Sequence, residues 1–137
     1  MSLRLLFLLG AIAVASPACV VYATEPGAVT SDGSVYLGFD LYSGKGKSDR
    51  ESYPVGQQLG AFSTIWLTAD EPVAVQQVLV VFADGERYNA PVPATLGGHR
   101  SSPAIRLPRG PRQIHSIVVG AKSQNKHLAK IEIYGRH

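Results

Sequence analysis

Four arginines of the C-terminal half form the densest set of side chains that could recognise a ligand. They occur within 13 residues, at Arg100, Arg106, Arg109 and Arg112, and three prolines stiffen the segment between them. Guanidinium arrays of this kind hold phosphate- or sulfate-bearing polymers. The spacing therefore predicts an anionic-polymer surface that uses Arg100, Arg109 and Arg112. The alternative is a cationic sheet edge that resists aggregation.

Two residues of the N-terminal half are further binding candidates. Arg50 lies in the charged run 49–51 and could present a bidentate guanidinium to a carboxylate or phosphate. The alternative is an ion pair with Asp49 or Glu51 that holds a loop. Trp66 would point outward if its neighbours Ile65 and Leu67 are core residues, and an outward indole could stack on a sugar ring. The alternative for Trp66 is burial.

No motif predicts catalysis or metal binding. The run 44–48 ends like a phosphate-binding loop, but Leu41 stands where its first glycine belongs, and no helix pattern follows. There is no G-x-S-x-G sequence, the four histidines are scattered, and no short spacing of metal ligands occurs. We therefore expect no catalytic residues, metal or cofactor. Nucleic acid is not an expected partner, because the arginine segment lacks aromatic residues for stacking.

The two halves of the chain differ in charge. Residues 24–85 contain three basic and eight acidic side chains, whereas residues 86–137 contain nine basic and two acidic ones. Such a split can indicate a surface that faces a polyanion. In a sandwich with long-range strand pairing, however, the two halves would interleave and their charges would mix.

Turn signals recur every 8 to 14 residues, which leaves room for short strands and not for helices of ordinary length. The predicted strands are Val35–Tyr42, Ala61–Ala69, Val73–Phe82, Arg87–Val92, Ile114–Val119 and Leu128–Tyr134. These intervals predict an all-β fold: a single antiparallel β-sandwich of seven to eight strands with jelly-roll-like connectivity. An OB-type barrel is the main rival.

Two predicted strands carry more detailed signals. Within Val73–Phe82 the apolar positions change phase at Gln76 and Gln77, which predicts a β-bulge. The strand that begins at Arg87 runs into Pro91 and Pro93, which cannot donate to a sheet ladder, so it should lie at a sheet edge.

The N-terminus has the pattern of an export signal. A short basic start is followed by the apolar run Leu5–Val14 and then by small residues before Cys19, the only cysteine. We expect a signal peptide over 1–23, cleaved after 18 or 23, a flexible tether over 24–34 and a β-sandwich domain over 35–137. Residues 16–19 resemble a bacterial lipobox, except that Ser16 replaces the usual leucine. Cys19 is thus a lipidation candidate, and lipid there would be the one link to a membrane.

The order of short motifs resembles small secreted bacterial β-sandwich domains of unknown function. The matching pieces are Leu37-Gly38, Asp49-Arg50, Gly60 to Leu67, Phe82 to Gly85, Ser101 to Pro108 and Arg112 to Ile117. The resemblance implies a sandwich fold over nearly all of the mature domain. It implies no established activity and no catalytic residues.

These observations predict an exported, non-enzymatic protein, in the periplasm or secreted. Its expected role is to bind a glycan, an anionic polymer or an envelope protein. Two alternatives remain open: a small secreted hydrolase whose site is assembled across strands, and a purely structural envelope component.

Overall fold

A computed structural model describes residues 25–46, 48–92 and 95–137. Eleven strands make up most of these residues: β1 Val35–Tyr42, β2 Asp49–Pro54, β3 Ala61–Phe62, β4 Thr64–Ala69, β5 Val73–Phe82, β6 Arg87–Ala90, β7 Thr95–Leu96, β8 Arg100–Ser101, β9 Ile105–Arg106, β10 Arg112–Ser123 and β11 Ala129–Arg136. A 3-10 helix at Gln57–Leu59 lies between β2 and β3. In the described ranges, no helix is long and apolar enough to cross a membrane.

The strands form two antiparallel sheets. Sheet A has the order β1-β11-β4-β8, with β9 also paired to β4. Sheet B has the order β2-β10-β5-β6, with β3 also paired to β10 and β7 to β5. When β2 with β3, β6 with β7, and β8 with β9 are each counted as one position, eight positions remain. The chain changes sheet at every step except the β5–β6 hairpin, as in a jelly roll. The predicted all-β sandwich and its connectivity are confirmed.

The alternation of apolar and polar residues brings the sheets together. Along β4 and β11 every second side chain is buried, which is the pattern of a strand with one face on a core and one towards solvent. The inner faces share one cluster that includes Leu37, Phe62, Ile65, Val80, Ile117 and Ile133. Each large apolar side chain so buried contributes roughly 1.5 to 3 kcal/mol to folding.

The two detailed strand predictions are also confirmed. The register between β5 and β10 shifts where Gly120 pairs with Gln77 and Ala121 pairs with Val75, which leaves Gln76 as the extra residue of a bulge. Strand β6 lies at the edge of sheet B. Of the two prolines that indicated this edge, Pro93 lies outside the described residues.

The structure differs from the expected strand pattern at β2, at Ser63 and at the short strands β7, β8 and β9, which were not predicted. The charged run that we expected between strands is part of β2, which pairs with β10. The predicted strand Ala61–Ala69 is divided at Ser63, because the chain leaves sheet B there and enters sheet A. The Ser63 amide donates to the Arg136 carbonyl (2.9 Å), and its carbonyl accepts from the Leu107 amide (2.9 Å).

Residues 25–34, predicted as a flexible tether, form an arm that is hydrogen-bonded to the start of β1. The Gly27 amide donates to the Tyr36 carbonyl (2.7 Å), and the Tyr36 amide donates to the Ala28 carbonyl (2.9 Å). Val29 forms a β-bridge with Val35. Residues 1–24, with both predicted cleavage sites and Cys19, lie outside the described residues.

Candidate functional site: the two outer faces

The outer face of sheet A carries three aromatic rings in one row. Tyr36 on β1 pairs with Tyr134 on β11, and Tyr134 pairs with Trp66 on β4. Because directly opposite residues share a face of the sheet, all three rings lie on its outer side. Tyr36 is nevertheless buried, at 2% exposure, whereas Trp66 and Tyr134 are partly exposed. The rings of Trp66 and Tyr134 are stacked (centroids 5.9 Å apart, planes at 13°), and Tyr36 meets Tyr134 edge to face at 5.5 Å. We call these three residues the aromatic row.

The arm places a fixed carboxylate beside the aromatic row. Asp32 accepts hydrogen bonds from the Thr30 hydroxyl, the Ser34 hydroxyl (2.6 Å) and the Ser34 amide (3.0 Å). Arg136 donates to its second oxygen (3.3 Å) and lies over the Trp66 ring at 5.3 Å. The Ser34 and Thr30 hydroxyls hold the pKa of Asp32 well below its usual range. The carboxylate is therefore ionised and oriented before any ligand arrives.

A hollow of about 330 Å³ opens between the arm and the aromatic row. Trp66 and Tyr134 form its apolar side, and both side chains are partly exposed. The rest of the lining is the Asp32 carboxylate and hydroxyl groups from Thr30, Ser31, Ser34, Thr68 and Ser101. An aromatic surface with a few oriented polar groups is typical of a small-molecule or sugar site.

The tyrosines of the row are neutral at physiological pH. Burial, and then the nearby Glu132 carboxylate, raises the pKa of both Tyr36 and Tyr134 to about 12. The Tyr134 hydroxyl donates to Glu132 (3.0 Å), which also pairs with Lys130 at 3.4 Å. The charges around the row are thus matched in pairs.

The outer face of sheet B has a different centre, which we call the Gly120 hollow. It has a volume of about 520 Å³. Gly120 on β10 lies between its two cross-strand partners, Arg50 on β2 and Gln77 on β5. Gln76 and Asn89 also line the hollow, and the Gln77 side-chain amide donates to the Asn89 carbonyl oxygen (3.0 Å).

The charges that strand alternation places on this outer face are basic. Three basic residues lie on the same side of the sheet as Gly120. Arg50 pairs with Gly120 itself, Lys122 pairs with Ala74, and Arg87 pairs with Val81. The two acidic residues of β2, Asp49 and Glu51, pair instead with buried Ala121 and Val119 and so have the inward phase, although Asp49 also borders the hollow. Arg50 is thus on an outer face and not in a loop, and the ion pairs found among the described residues do not include it.

The structure does not bring the predicted arginine array onto one free surface. Arg112 lies over the Phe82 ring at 3.6 Å and pairs with Asp84 (2.9 Å) and Glu86 (3.1 Å), and its side chain is only 12% exposed. Arg109 pairs with the same Glu86 (3.1 Å). Acidic side chains of the β5–β6 hairpin therefore offset part of the charge of both arginines.

The other two arginines lie apart along β4. Arg100 is opposite Ala69 and Arg106 is opposite Thr64, so they are separated by roughly 17 Å along the strand. Both are exposed. Arg106 shares the outward phase of Thr64 and Trp66, as its alternation with Ile105 and Leu107 predicted.

Three residues of these faces were not predicted. Tyr134 has the same outward phase as Lys130 and Glu132, so strand alternation could have identified it. Asp32 depends on the fold of the arm, for which the sequence gives no periodic signal. Gly120 directly follows the predicted strand Ile114–Val119, and a glycine inside a strand can mark a close approach of a ligand.

The last feature to consider on the described part of the chain is metal binding. Within the described ranges, no group of three or more His, Cys, Asp or Glu side chains could hold a metal ion.

A family model described as Domain of unknown function (DUF2541) matches residues 7–135. The chain belongs to this family. The match confirms the part of the resemblance that assigned the chain to domains of unknown function, and the family description gives no activity. No curated protein and no solved structure matches the chain.

Proposed function

We propose that this member of the DUF2541 family is an exported, non-enzymatic binding module that recognises a glycan at the aromatic row. The observation that carries the proposal is the stacked pair of Trp66 and Tyr134 beside the oriented carboxylate of Asp32. The proposal makes the ligand a saccharide of an envelope or extracellular polymer.

The hollow beside the row combines the two contacts that a sugar needs. The C–H face of a sugar ring is apolar and gains from burial against aromatic carbon. Its hydroxyls need hydrogen-bond partners when they leave water, and the hollow offers a carboxylate and several hydroxyl groups. Because Asp32 is already held by Thr30 and Ser34, little order is lost when a ligand binds.

The charges that border the hollow of the aromatic row favour a neutral saccharide over an anionic polymer, and the exposed Arg106 of β9 does not line this hollow. Asp32 is matched by Arg136, and Glu132 by Lys130. In the arginine segment, Arg109 and Arg112 share Glu86, which reduces the charge they could offer to a polyanion. This contrast supports glycan binding over the anionic-polymer alternative for these residues.

The location of the module is part of the proposal and is supported by the sequence. The apolar run Leu5–Val14 and the small residues after it fit a signal for export to the periplasm or beyond. Modification of Cys19 would attach the module to a membrane by lipid. Mass measurement of the mature N-terminus tests both points, because the intact chain would contradict export and an unmodified start would contradict the anchor.

Trp66 is the only tryptophan of the chain, so it reports directly on its own site. We expect its fluorescence to change on titration with neutral oligosaccharides and isothermal calorimetry to give a matching affinity. Trp66→Ala should weaken the calorimetric affinity by about tenfold or more, because the stacking surface is lost.

Phe39→Ala is a matched control for the tryptophan substitution. Phe39 is another exposed aromatic residue of sheet A, 55% exposed, and it lies outside the hollow. Its removal should leave the affinity unchanged. Equal losses in both variants, or no fluorescence change with any member of a broad neutral-glycan panel, would contradict the proposal.

A further inference from the structure

Three glycines occupy positions inside long strands, and for two of them the fold explains why the residue is glycine. Gly38 has φ of 144°, a conformation that other residues rarely adopt. A Cβ atom on Gly135 would lie 2.7 Å from Cδ1 of Phe62 in the core. Any side chain at Gly135 would therefore displace a buried ring.

Neither a positive φ nor a close contact with the core explains the glycine at position 120. Its φ is not positive, and a Cβ atom there would meet its nearest neighbour, Cβ of Gln77, at an ordinary 3.7 Å. Glycine within a strand destabilises the fold relative to alanine. The visible consequence of Gly120 is the space above it, since a side chain would project into the Gly120 hollow.

The groups around this space can pair with a carboxylate and with hydroxyls. One lining side chain, Asp49, is acidic, and its carboxylate already accepts a hydrogen bond from the Ser43 amide (2.7 Å). Arg50 presents a guanidinium from one side, and no hydrogen bond or ion pair of its side chain is found among the described residues. Gln77 donates to Asn89, which leaves the Gln77 carbonyl oxygen as an acceptor and the Asn89 amide as a donor. The bulge adds the carboxamide of Gln76.

We propose that the Gly120 hollow binds the carboxylate-bearing ring of an acidic sugar, a hexuronate. Arg50 pairs with the carboxylate, and the carboxamides of Gln76, Gln77 and Asn89 hydrogen-bond the ring hydroxyls. Lys122 and Arg87 on the same face add to the positive potential that attracts the ligand.

Two features favour a sugar acid over a nucleic acid or a phosphate group. The outward residues of the described strands of sheet B include no Phe, Tyr or Trp ring on which a base could stack, and the exposed His115 of β10 does not line the hollow. Arg50 is the one basic side chain among the residues that line the hollow, and one guanidinium matches the single charge and planar geometry of a carboxylate.

The proposal does not depend on glycan binding at the aromatic row, because the two sites lie on opposite outer faces of the sandwich. Nuclear magnetic resonance can test it alone through the side-chain amide signals of Gln76, Gln77 and Asn89. We expect D-glucuronate to shift these signals, and D-glucose and acetate at the same concentration to shift them far less. Inorganic phosphate should also bind more weakly than glucuronate.

Two variants test the residues. Arg50→Gln should weaken glucuronate binding by about tenfold or more, because a charge-assisted pair is lost. Gly120→Val should abolish binding by filling the hollow, while the thermal midpoint is maintained. Gly120→Ala is the milder variant should the valine fail to fold, and it should also weaken binding.

Arg87→Gln is the matched control, since it removes a positive charge from the same face but outside the lining. It should change the affinity by less than a factor of about three. A loss equal to that of Arg50→Gln would overturn the proposal in favour of a general charge effect. Unchanged binding in the folded Gly120→Val variant, or equal shifts with glucuronate, glucose and acetate, would also overturn it.

The source of the sugar acid can be tested in the same way. A short hexuronate oligomer should bind at least as tightly as the monosaccharide if the ligand is a unit of a polymer. Trp66→Ala should retain glucuronate binding, so failure of this site and failure of the aromatic row are distinguishable.

Discussion

The two outer faces of this sandwich have the same backbone plan and opposite surface chemistry. Sheet A presents a row of aromatic rings whose neighbouring charges are matched in pairs. Sheet B presents outward cations around a glycine, and none of the residues that line the hollow there has an aromatic ring. Alternation forces the inward residues of both sheets to be apolar, whereas the outward residues are free to differ. The outer faces are therefore where a jelly roll can acquire different ligands.

The glycines behind the two faces provide the strongest test of this comparison. Gly135→Ala on sheet A should lower the free energy of unfolding by roughly 1 to 3 kcal/mol, because its new methyl group would press on Phe62. Gly120→Ala on sheet B should leave the value unchanged or raise it by up to about 1 kcal/mol. Urea denaturation of both variants and the wild type measures the difference.

The paired variants also check whether the Gly120 hollow is free of a structural role. If Gly120→Ala were as destabilising as Gly135→Ala, the glycine would be needed by the fold. The hollow above Gly120 would then follow from the needs of the fold and would not indicate a ligand site. The proposal for the aromatic row would be unaffected.

Ionic strength should distinguish ligand binding at the two faces, with a smaller effect than that of the glycine substitutions on stability. Binding of glucuronate at Arg50 should weaken several-fold when ionic strength rises from about 0.05 M to about 0.5 M, because the ions screen an exposed charge pair. Binding of a neutral oligosaccharide at Trp66 should change little over the same range. Calorimetric titrations at the two salt concentrations measure both, and equal salt dependence at the two faces would remove the distinction between them.

The tyrosines of the aromatic row should contribute to a loss of stability at high pH, in addition to the Tyr42–Tyr53 pair, whose pKa values burial also raises. The tyrosines of the row have no effect near neutrality. The pKa of Tyr36 and Tyr134 is raised to about 12 in the folded chain, whereas a tyrosine in the unfolded chain titrates near 10. The unfolded state then binds fewer protons than the folded state between these values. The stability contributed by the two hydroxyls is present below about pH 10 and is lost as pH rises towards about 12.

The alkaline effect can be assigned with tyrosine-to-phenylalanine variants. Tyr134→Phe should reduce the slope of unfolding free energy against pH in this range, and tyrosinate absorbance should show one fewer late-titrating group. Phe39→Ala is the control, because it removes an exposed ring of sheet A that has no ionisable hydroxyl, and it should leave this slope unchanged. An unchanged slope in Tyr134→Phe would mean that the row is not the source.

The fold could be predicted where local pattern and turn chemistry agree. Strands β1 and β5 have the predicted bounds, and the phase change at Gln76 and Gln77 identified the bulge. Strand β2 was missed because its run of charged and polar residues has no apolar alternation. Only Tyr53 of β2 is buried, and the strand exists because β10 pairs with it.

The sites could be predicted only as far as single strands allow. The phase of β4 indicated that Trp66 faces outward, but its stacking partner lies on β11, and the register that joins them cannot be read from either strand. The partners of Arg112 could not be predicted either. Arg112 pairs with Asp84 and Glu86 because the β5–β6 hairpin lies beside β10, and this position cannot be read from a single strand. The arginines looked like an array in sequence because their acidic partners are distant in the chain.

The position of β11 has a consequence for how the chain acquires its structure. Strand β11 lies between β1 and β4, so these two strands cannot be joined in sheet A until residues 129–136 are available. In an elongating chain β4 can pair with β8 and β9, but β1 and the edge of β4 that receives β11 stay unpaired until then and remain open to aggregation. Pairing over such sequence distances is slow, so the late arrival of one strand sets the time at which the molecule becomes protease-resistant.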